Sequence, residues 1–391
     1  MPDTMPSDIQ IYLDYAATTP VDDRVLEAMM PYFNELYGNP SSVHTFGQKA
    51  EAALEAARET VAEILNCQTH EIIFTSCGSE SDNLALRGAA LAAREKRDAN
   101  HILISPVEHH AVSQTAEQLT KLFGFELEYL PVNSHGMVDP EDVTKYIRDD
   151  TAIVSVIYAN NEIGTINPIK EISARCREHG IPFHTDAVQG AAYLPVNVND
   201  LDIDLLAIGA HKFYGPKGVG ALYVREGTNI YANQTGGGQE FGLRAGTSNI
   251  PYIIGLAKAF YLAQIERKQR FDYLRARRDY LIRRVQEEIP SAHLTGHPDK
   301  RLPNHASFVF EDVDGNMLLA ILDSLGFACS SGSACKTGDP EPSDVLIAMG
   351  LDRNLALGSL RVTLGIKTTY GELDSFAKVL PTAIQGSVIN G

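Results

Sequence analysis

The apolar residues of this chain fall into short runs separated by longer amphipathic segments. The runs are "EIIFTS" (71–76), "HILISP" (101–106), "TAIVSVIYAN" (151–160), "IPFHTDA" (181–187), residues 202–210 and "GVGALYV" (218–224). Between several of them the apolar residues recur at helical spacing, as in "SESDNLALRGAALAAREK" after the first run. Short buried runs alternating with amphipathic helices predict an α/β domain with a mostly parallel sheet covered by helices. A charged segment, residues 261–290, predicts a helix joining this domain to the next, with Ile265, Phe271, Leu274 and Leu281 as core contacts. An α+β-like segment follows it. There is no internal repeat and no low-complexity tract.

Composition narrows the class. At 391 residues with 44% hydrophobic residues, the chain can bury a large core in two domains, or in one with an appendage. Asp and Glu total 50 against 33 Lys and Arg, a net charge of −17. That acidity argues against broad contact with nucleic-acid phosphate. The first twenty residues lack a basic region followed by an apolar one, so no secretory signal is read. No apolar run reaches membrane-spanning length, and the expected compartment is the cytosol. Five cysteines, Cys67, Cys77, Cys176, Cys329 and Cys335, form no disulfide framework.

Candidate chemistry gathers where the apolar runs end. Lys212 follows one run and precedes a Gly/Pro-rich turn, "FYGPKGVG". Desolvation there would free a neutral amine for a Schiff base; taken alone, Lys212 reads more often as a surface or ion-pair lysine. The turn matches neither a phosphate-binding Walker loop nor G-x-G-x-x-G. Asp186 ends another run and can pair with a protonated pyridine nitrogen, bind metal together with His184, or cap a helix. Gly78 and Ser79 open a helix, where free N–H groups favour phosphate. Ser79 with Asp82 also resembles a capping box. His109 or His110 can stack on an aromatic cofactor or move protons. With Glu108 they also suggest metal, but no metal-binding spacing supports it, and none is expected. Each signal is weak alone. Together they sit at strand ends, where open α/β sheets collect ligands.

The segments "YLDYAATTP", "YGNPSSVHTFG", "SCGSESDNLAL", "VEHHAV", "NNEIGTINPI", "HTDAVQ", "AHKFYGPKGVGALYV", "GGGQE", "RAGTSN", "SSGSAC" and "GSLRVTLG" run in order from about Leu13 to Gly365. On these the chain closely resembles the cysteine desulfurases, specifically the NifS/IscS-like branch of the fold type I, aspartate aminotransferase-like enzymes that use pyridoxal 5′-phosphate (PLP). The resemblance implies a large PLP-binding domain with a mostly parallel seven-stranded sheet, at residues 17–262. It implies a smaller α+β domain from residues 1–16 and 263–391 that carries the catalytic cysteine loop.

It also implies roles. Lys212 would hold PLP covalently. Asp186 would pair with the ring nitrogen, and Gln189 would bond the phenolic oxygen. His109 would stack on the ring and move protons. Gly78, Ser79 and His211 would bind the phosphate, and Thr247 would reach the phosphate of a neighbouring subunit, which implies a homodimer. Asn161 and Arg361 would hold the substrate carboxylate, Asn161 also touching the cofactor. Cys335 would be the nucleophile that takes sulfur from L-cysteine as a persulfide, leaving L-alanine. An acceptor would then take the sulfur; an iron–sulfur scaffold or a tRNA-thiolation protein is the expected type.

Three positions depart from the family pattern. Gly209 stands where Ser or Thr is common, Ala245 replaces a usual Ser, and Lys336 replaces a usual Thr beside Cys335. A cation there would favour the thiolate. Cys329 has no family role and reads as a small, partly buried hydrophobe. The rival readings are another PLP enzyme, such as a selenocysteine lyase, a cystine C–S lyase or an aminotransferase, and a catalytically silent sulfur-trafficking partner. The loop thiol counts against the first, and the intact Lys212, Asp186, His109 and Cys335 against the second.

Overall fold

The computed structural model describes residues 10–332 and 341–389. Cys335 and Lys336 lie outside the described residues.

Seven strands form the main sheet: β2 (Ile72–Thr75), β3 (His101–Ile104), β4 (Glu126–Tyr129), β5 (Thr151–Ser155), β6 (Phe183–Asp186), β7 (Leu205–Gly209) and β8 (Gly220–Val224). β1 (Ile11–Tyr12) precedes them. Their spatial order is β2-β8-β7-β6-β5-β3-β4. Every pairing from β7 through β4 is parallel, and β8 runs antiparallel to both neighbours. The expectation of a mostly parallel seven-stranded sheet therefore holds. Both faces are covered. Ile72, Phe74, Phe183, Leu206 and Ile208 enter one core cluster, and Ile73, Ile102, Ile104, Leu205 and Ala207 another. This is why six of the strands read as continuous apolar runs without alternation; the edge strand β4, exposed or half-buried, does not. Each fully buried Ile, Leu or Phe contributes about 1.5–3 kcal/mol.

A second, three-stranded sheet has the order β12 (Ser359–Thr363), β10 (His305–Val309), β9 (His293–Leu294). β11 (Phe327–Ala328) pairs in parallel with β1, so the beginning of the described chain is stitched to the segment that leads toward Cys335.

The charged segment differs from its expectation. It is two helices, Ile250–Ile265 and Arg267–Glu288, broken at Glu266. Leu274 and Leu281 are fully buried and Phe271 packs partly against the core. Ile265 is 59% exposed, because the break ends the helical register one residue after it. Glu266 instead serves the junction electrostatically: it accepts from Arg270 and from Arg24.

Candidate active site

Five loops leave the carboxyl ends of β2, β3, β5, β6 and β7 and meet in one cavity of about 270 Å³. Its lining includes Gly78, Ser79, His109, Asn161, Asp186, Gln189, His211, Lys212 and Arg361. All the residues expected to touch cofactor or substrate within one subunit are thus brought together, apart from Cys335, which is outside the described residues.

Gly78 and Ser79 begin the helix Gly78–Arg97. Cys77 caps it with extended backbone and no side-chain hydrogen bond, so the first N–H groups remain for a ligand. A Cβ on Gly78 would lie 2.5 Å from Val188 Cγ2, so only glycine lets this turn approach the β6 loop. The capping box that Ser79 with Asp82 resembles does not form. Cys77 is the N-cap, so Glu80 holds the third helical position; Asp82 lies beyond it and points inward, 1% exposed.

Lys212 closes the cavity floor after β7. Its Nζ donates to the carbonyls of Ala16 (2.6 Å) and Ala17 (2.8 Å). Burial, with nearby Arg361, lowers its pKa from 10.5 to about 8. Asp186 ends β6; its Oδ1 accepts the Val188 N–H at 2.8 Å, and burial raises its pKa against the opposing pull of His109. Gln189 Nε2 donates to the Ala16 carbonyl. His211 Nδ1 pairs with Thr18 Oγ1 at 3.2 Å, and burial pushes its pKa down to about 4.

His109 caps the next helix: its Nδ1 accepts the Ala111 N–H at 3.1 Å. That bond assigns the ring proton of neutral His109 to Nε2. The residue is reached from the cleft, yet the surrounding protein desolvates it and lowers its pKa. Glu108 ties two strand ends together. Its Oε1 accepts from Ser105 Oγ and from Ile157 N (2.7 Å), and burial pushes its pKa up to about 8.

On the substrate side, Arg361 Nη1 donates to the Asn161 carbonyl (3.0 Å) and Nη2 to Asp14 Oδ1 (2.9 Å), while Nε is buried without a partner. Asp14 Oδ2 accepts from Ser330 Oγ at 2.8 Å. Sequence reasoning quoted Asp14 within "YLDYAATTP" without giving it a role. It missed Glu162 in the same way: Glu162 accepts from Ser343 Oγ, and burial pushes its pKa up to about 7. Nothing in one-dimensional spacing links either carboxylate to its partner, 347 and 181 positions away.

Thr247 is not in this cavity. It is exposed and lines a separate cleft of about 230 Å³ with Ser76, Glu240 and Arg244. A buried bidentate pair, Arg58 with Glu240 (2.8 and 3.0 Å), fixes that loop to the helix Thr45–Leu65, and Glu240 Oε2 also accepts the Phe74 N–H of β2 (2.8 Å). Ala245 is buried there, and its backbone pairs with Gln234. A Cβ on Gly209 would meet Gly78 N at 3.4 Å, so the hydroxyl residue usual in the family has room. Cys329 packs against the core, and burial pushes its thiol pKa up, away from nucleophilic use.

The donor set fits PLP: a low-pKa lysine, a carboxylate at a strand end, an uncapped helix start and a glycine that admits close approach. The same atoms of Asp82, His109 and Asp186 lie within 4.8 Å of one another, which is also a spacing a metal ion accepts.

The aminotransferase class-V family model matches residues 11–376, and the chain belongs to that family. It is 49% identical over 376 residues to the cysteine desulfurase IscS of Dictyoglomus turgidum, covering 96% of this chain and 95% of that protein. It is 46% identical to the cysteine desulfurase IscS of Methanosarcina thermophila, covering 96% and 92%. Among solved structures, a NifS-like protein superposes with a TM-score of 0.89 at 37% identity, covering 96% of this chain and 100% of that one. A structure described as SspA in complex with cysteine superposes at 0.79 with 36% identity, covering 90% and 98%. The fold is that of the type I PLP enzymes, and the chain is a PLP-dependent enzyme of the cysteine desulfurase type.

Proposed function

We propose that the cavity binds L-cysteine and moves its sulfur to Cys335, leaving L-alanine. The observation that carries this reading is the convergence of Lys212, Asp186, His109 and Arg361 on one cavity at the strand ends. The complex of SspA with cysteine supports the choice of substrate.

When bound, PLP supplies an electron sink for negative charge at the substrate Cα. Lys212 would hold it, Asp186 would face its ring nitrogen, Gln189 its phenolic oxygen, and Gly78, Ser79 and His211 its phosphate. Arg361 and Asn161 orient the substrate carboxylate, Arg361 by its fork. The neutral amine of Lys212, available near pH 8, takes the Cα proton. His109 handles protons through Nε2, since Nδ1 is committed to the helix. The Cys335 thiolate attacks the substrate sulfur: an S–S bond forms, the C–S bond breaks, and a proton returns to carbon. Cysteine and one thiol thus give alanine and one persulfide, with no outside oxidant.

The same reading includes a homodimer in which Thr247 serves the partner's phosphate site, and a sulfur acceptor of the iron–sulfur scaffold type. It divides the chain into a large domain, 17–262, and a small one; the helix break at Glu266 lies near that division. No described helix is long and apolar enough to cross a membrane.

The test is incubation of wild type and Cys335→Ala with PLP, L-cysteine and reductant, following the visible PLP absorbance, alanine and sulfide together. Wild type is expected to make both products, and the variant to keep its PLP band and stop. Sulfide release by the variant at the wild-type rate would make this a direct C–S lyase.

A further inference from the structure

The carboxyl group of Asp82 has no part in the mechanism above, yet it lines the same cavity. It is 1% exposed, and its Oδ1 is buried without a hydrogen-bond partner among the described residues. His184 Nε2 lies 3.5 Å from that oxygen, also unpartnered, while His184 Nδ1 pairs with Ser155 Oγ at 2.9 Å. His184 and Asp186 are two residues apart on β6 and so face the same side, where Asp82 meets both. Ligand atoms of Asp82, Asp186 and His109 fall within 4.8 Å.

Two carboxylates this close and this dry do not both ionise. Their surroundings decide which one keeps the proton. Asp186 has the Val188 N–H on Oδ1 and both His109 and Lys212 as stabilising neighbours. Asp82 has no such support: after burial, what raises it is Asp186, with Glu108 and Cys77 next. His184 gives it no counter-charge, because burial pushes that imidazole down to about 3 and keeps it neutral. Burial first, and then the nearby Asp186 carboxylate, push Asp82 well above the usual carboxylate range.

We propose that Asp82 is a positioning residue acting through Asp186: it is the member of the pair that keeps its proton, which leaves Asp186 as the single anion facing the cofactor's ring nitrogen. A second anion there would compete for the nitrogen's proton and leave a buried charge unmatched. The inference rests on the cofactor reading of the cavity but not on its sulfur chemistry.

Three variants test it: Asp82→Asn, an uncharged isostere of the neutral acid; Asp82→Ala; and Asp186→Asn. The infrared difference between apo wild type and Asp82→Asn at neutral pH is expected to show loss of one protonated-carboxyl C=O band. PLP titration of the apo proteins is expected to give Asp82→Asn a Kd within about 3-fold of wild type. Asp82→Ala should bind about 10-fold more weakly with a shifted visible maximum, and Asp186→Asn about 100-fold more weakly. If no protonated-carboxyl band is lost, or Asp82→Asn loosens PLP as much as Asp186→Asn does, Asp82 is ionised and the proposal falls. An Asp82→Ala protein with wild-type Kd and spectrum overturns it too. If Asp82→Ala does not fold, the two Asp82→Asn readouts decide. A wrong desulfurase reading would show in alanine and sulfide and would leave these readouts unchanged.

Discussion

A single side chain, Lys212, illustrates what burial does to chemistry at the residue scale. Its pKa is lowered to about 8, so the protonated amine gives way to the neutral one some two units earlier than for a free lysine. Covalent capture of an aldehyde by the apo protein, read from absorbance, is therefore expected to rise through pH 8 and to vanish in Lys212→Ala. A midpoint near 10.5 would mean that Lys212 is solvated like a surface lysine. Asp82 makes the converse point. Its spacing from Ser79 allowed a capping box as one of two readings, and what decided otherwise was its rotation into the helix's buried face, next to β6.

The element scale shows how strand ends are tied together. Glu108, after β3, bonds Ser105 on its own loop and the Ile157 N–H beyond β5. Its folded pKa, about 8, is raised above the unfolded value near 4.5. The stability it contributes is then fully present below pH 4.5 and is lost as pH rises through 8. Denaturant unfolding of the apo protein at pH 5 and pH 8.5 is expected to show wild type losing on the order of 3 kcal/mol more than Glu108→Gln. Parallel losses would mean that Glu108 is already ionised in the fold. Helix boundaries belong to this scale as well. The charged segment read as one helix, but Glu266, with cationic partners on two elements, breaks it, and Ile265 is left in solvent.

For the whole molecule, the proposed dimer makes a direct prediction. Leu26, Met30, Phe33, Tyr37, Val43 and Phe46 are large apolar residues exposed within one stretch, Val43 at 90%. We assign these side chains to the interface of the proposed dimer. Sedimentation is expected to give twice the chain mass of 42.7 kDa, about 85 kDa. Val43→Glu with Phe46→Glu is expected to shift it to the monomer. Thr247→Ala should leave the dimer intact while loosening PLP. A wild-type monomer that binds PLP tightly would remove Thr247 from the site.

How much of this was legible beforehand follows from the range of each interaction. The apolar runs determined six of the seven strands of the main sheet, because strands buried on both faces need no partner to look buried; the edge strand β4, exposed or half-buried along its length, gave no such run. The ordered motifs determined the family, the cofactor and the residues at each strand end, since each strand–loop–helix unit is local in sequence. What the sequence left undecided was every contact between distant segments. Asp14 on Arg361, Glu162 on Ser343 and Asp82 beside Asp186 join residues 100 or more positions apart, and only chain packing brings them together. The same holds for protonation. Which carboxyl keeps its proton depends on burial and on charged neighbours across the cavity, and these exist only once the tertiary structure has removed the water.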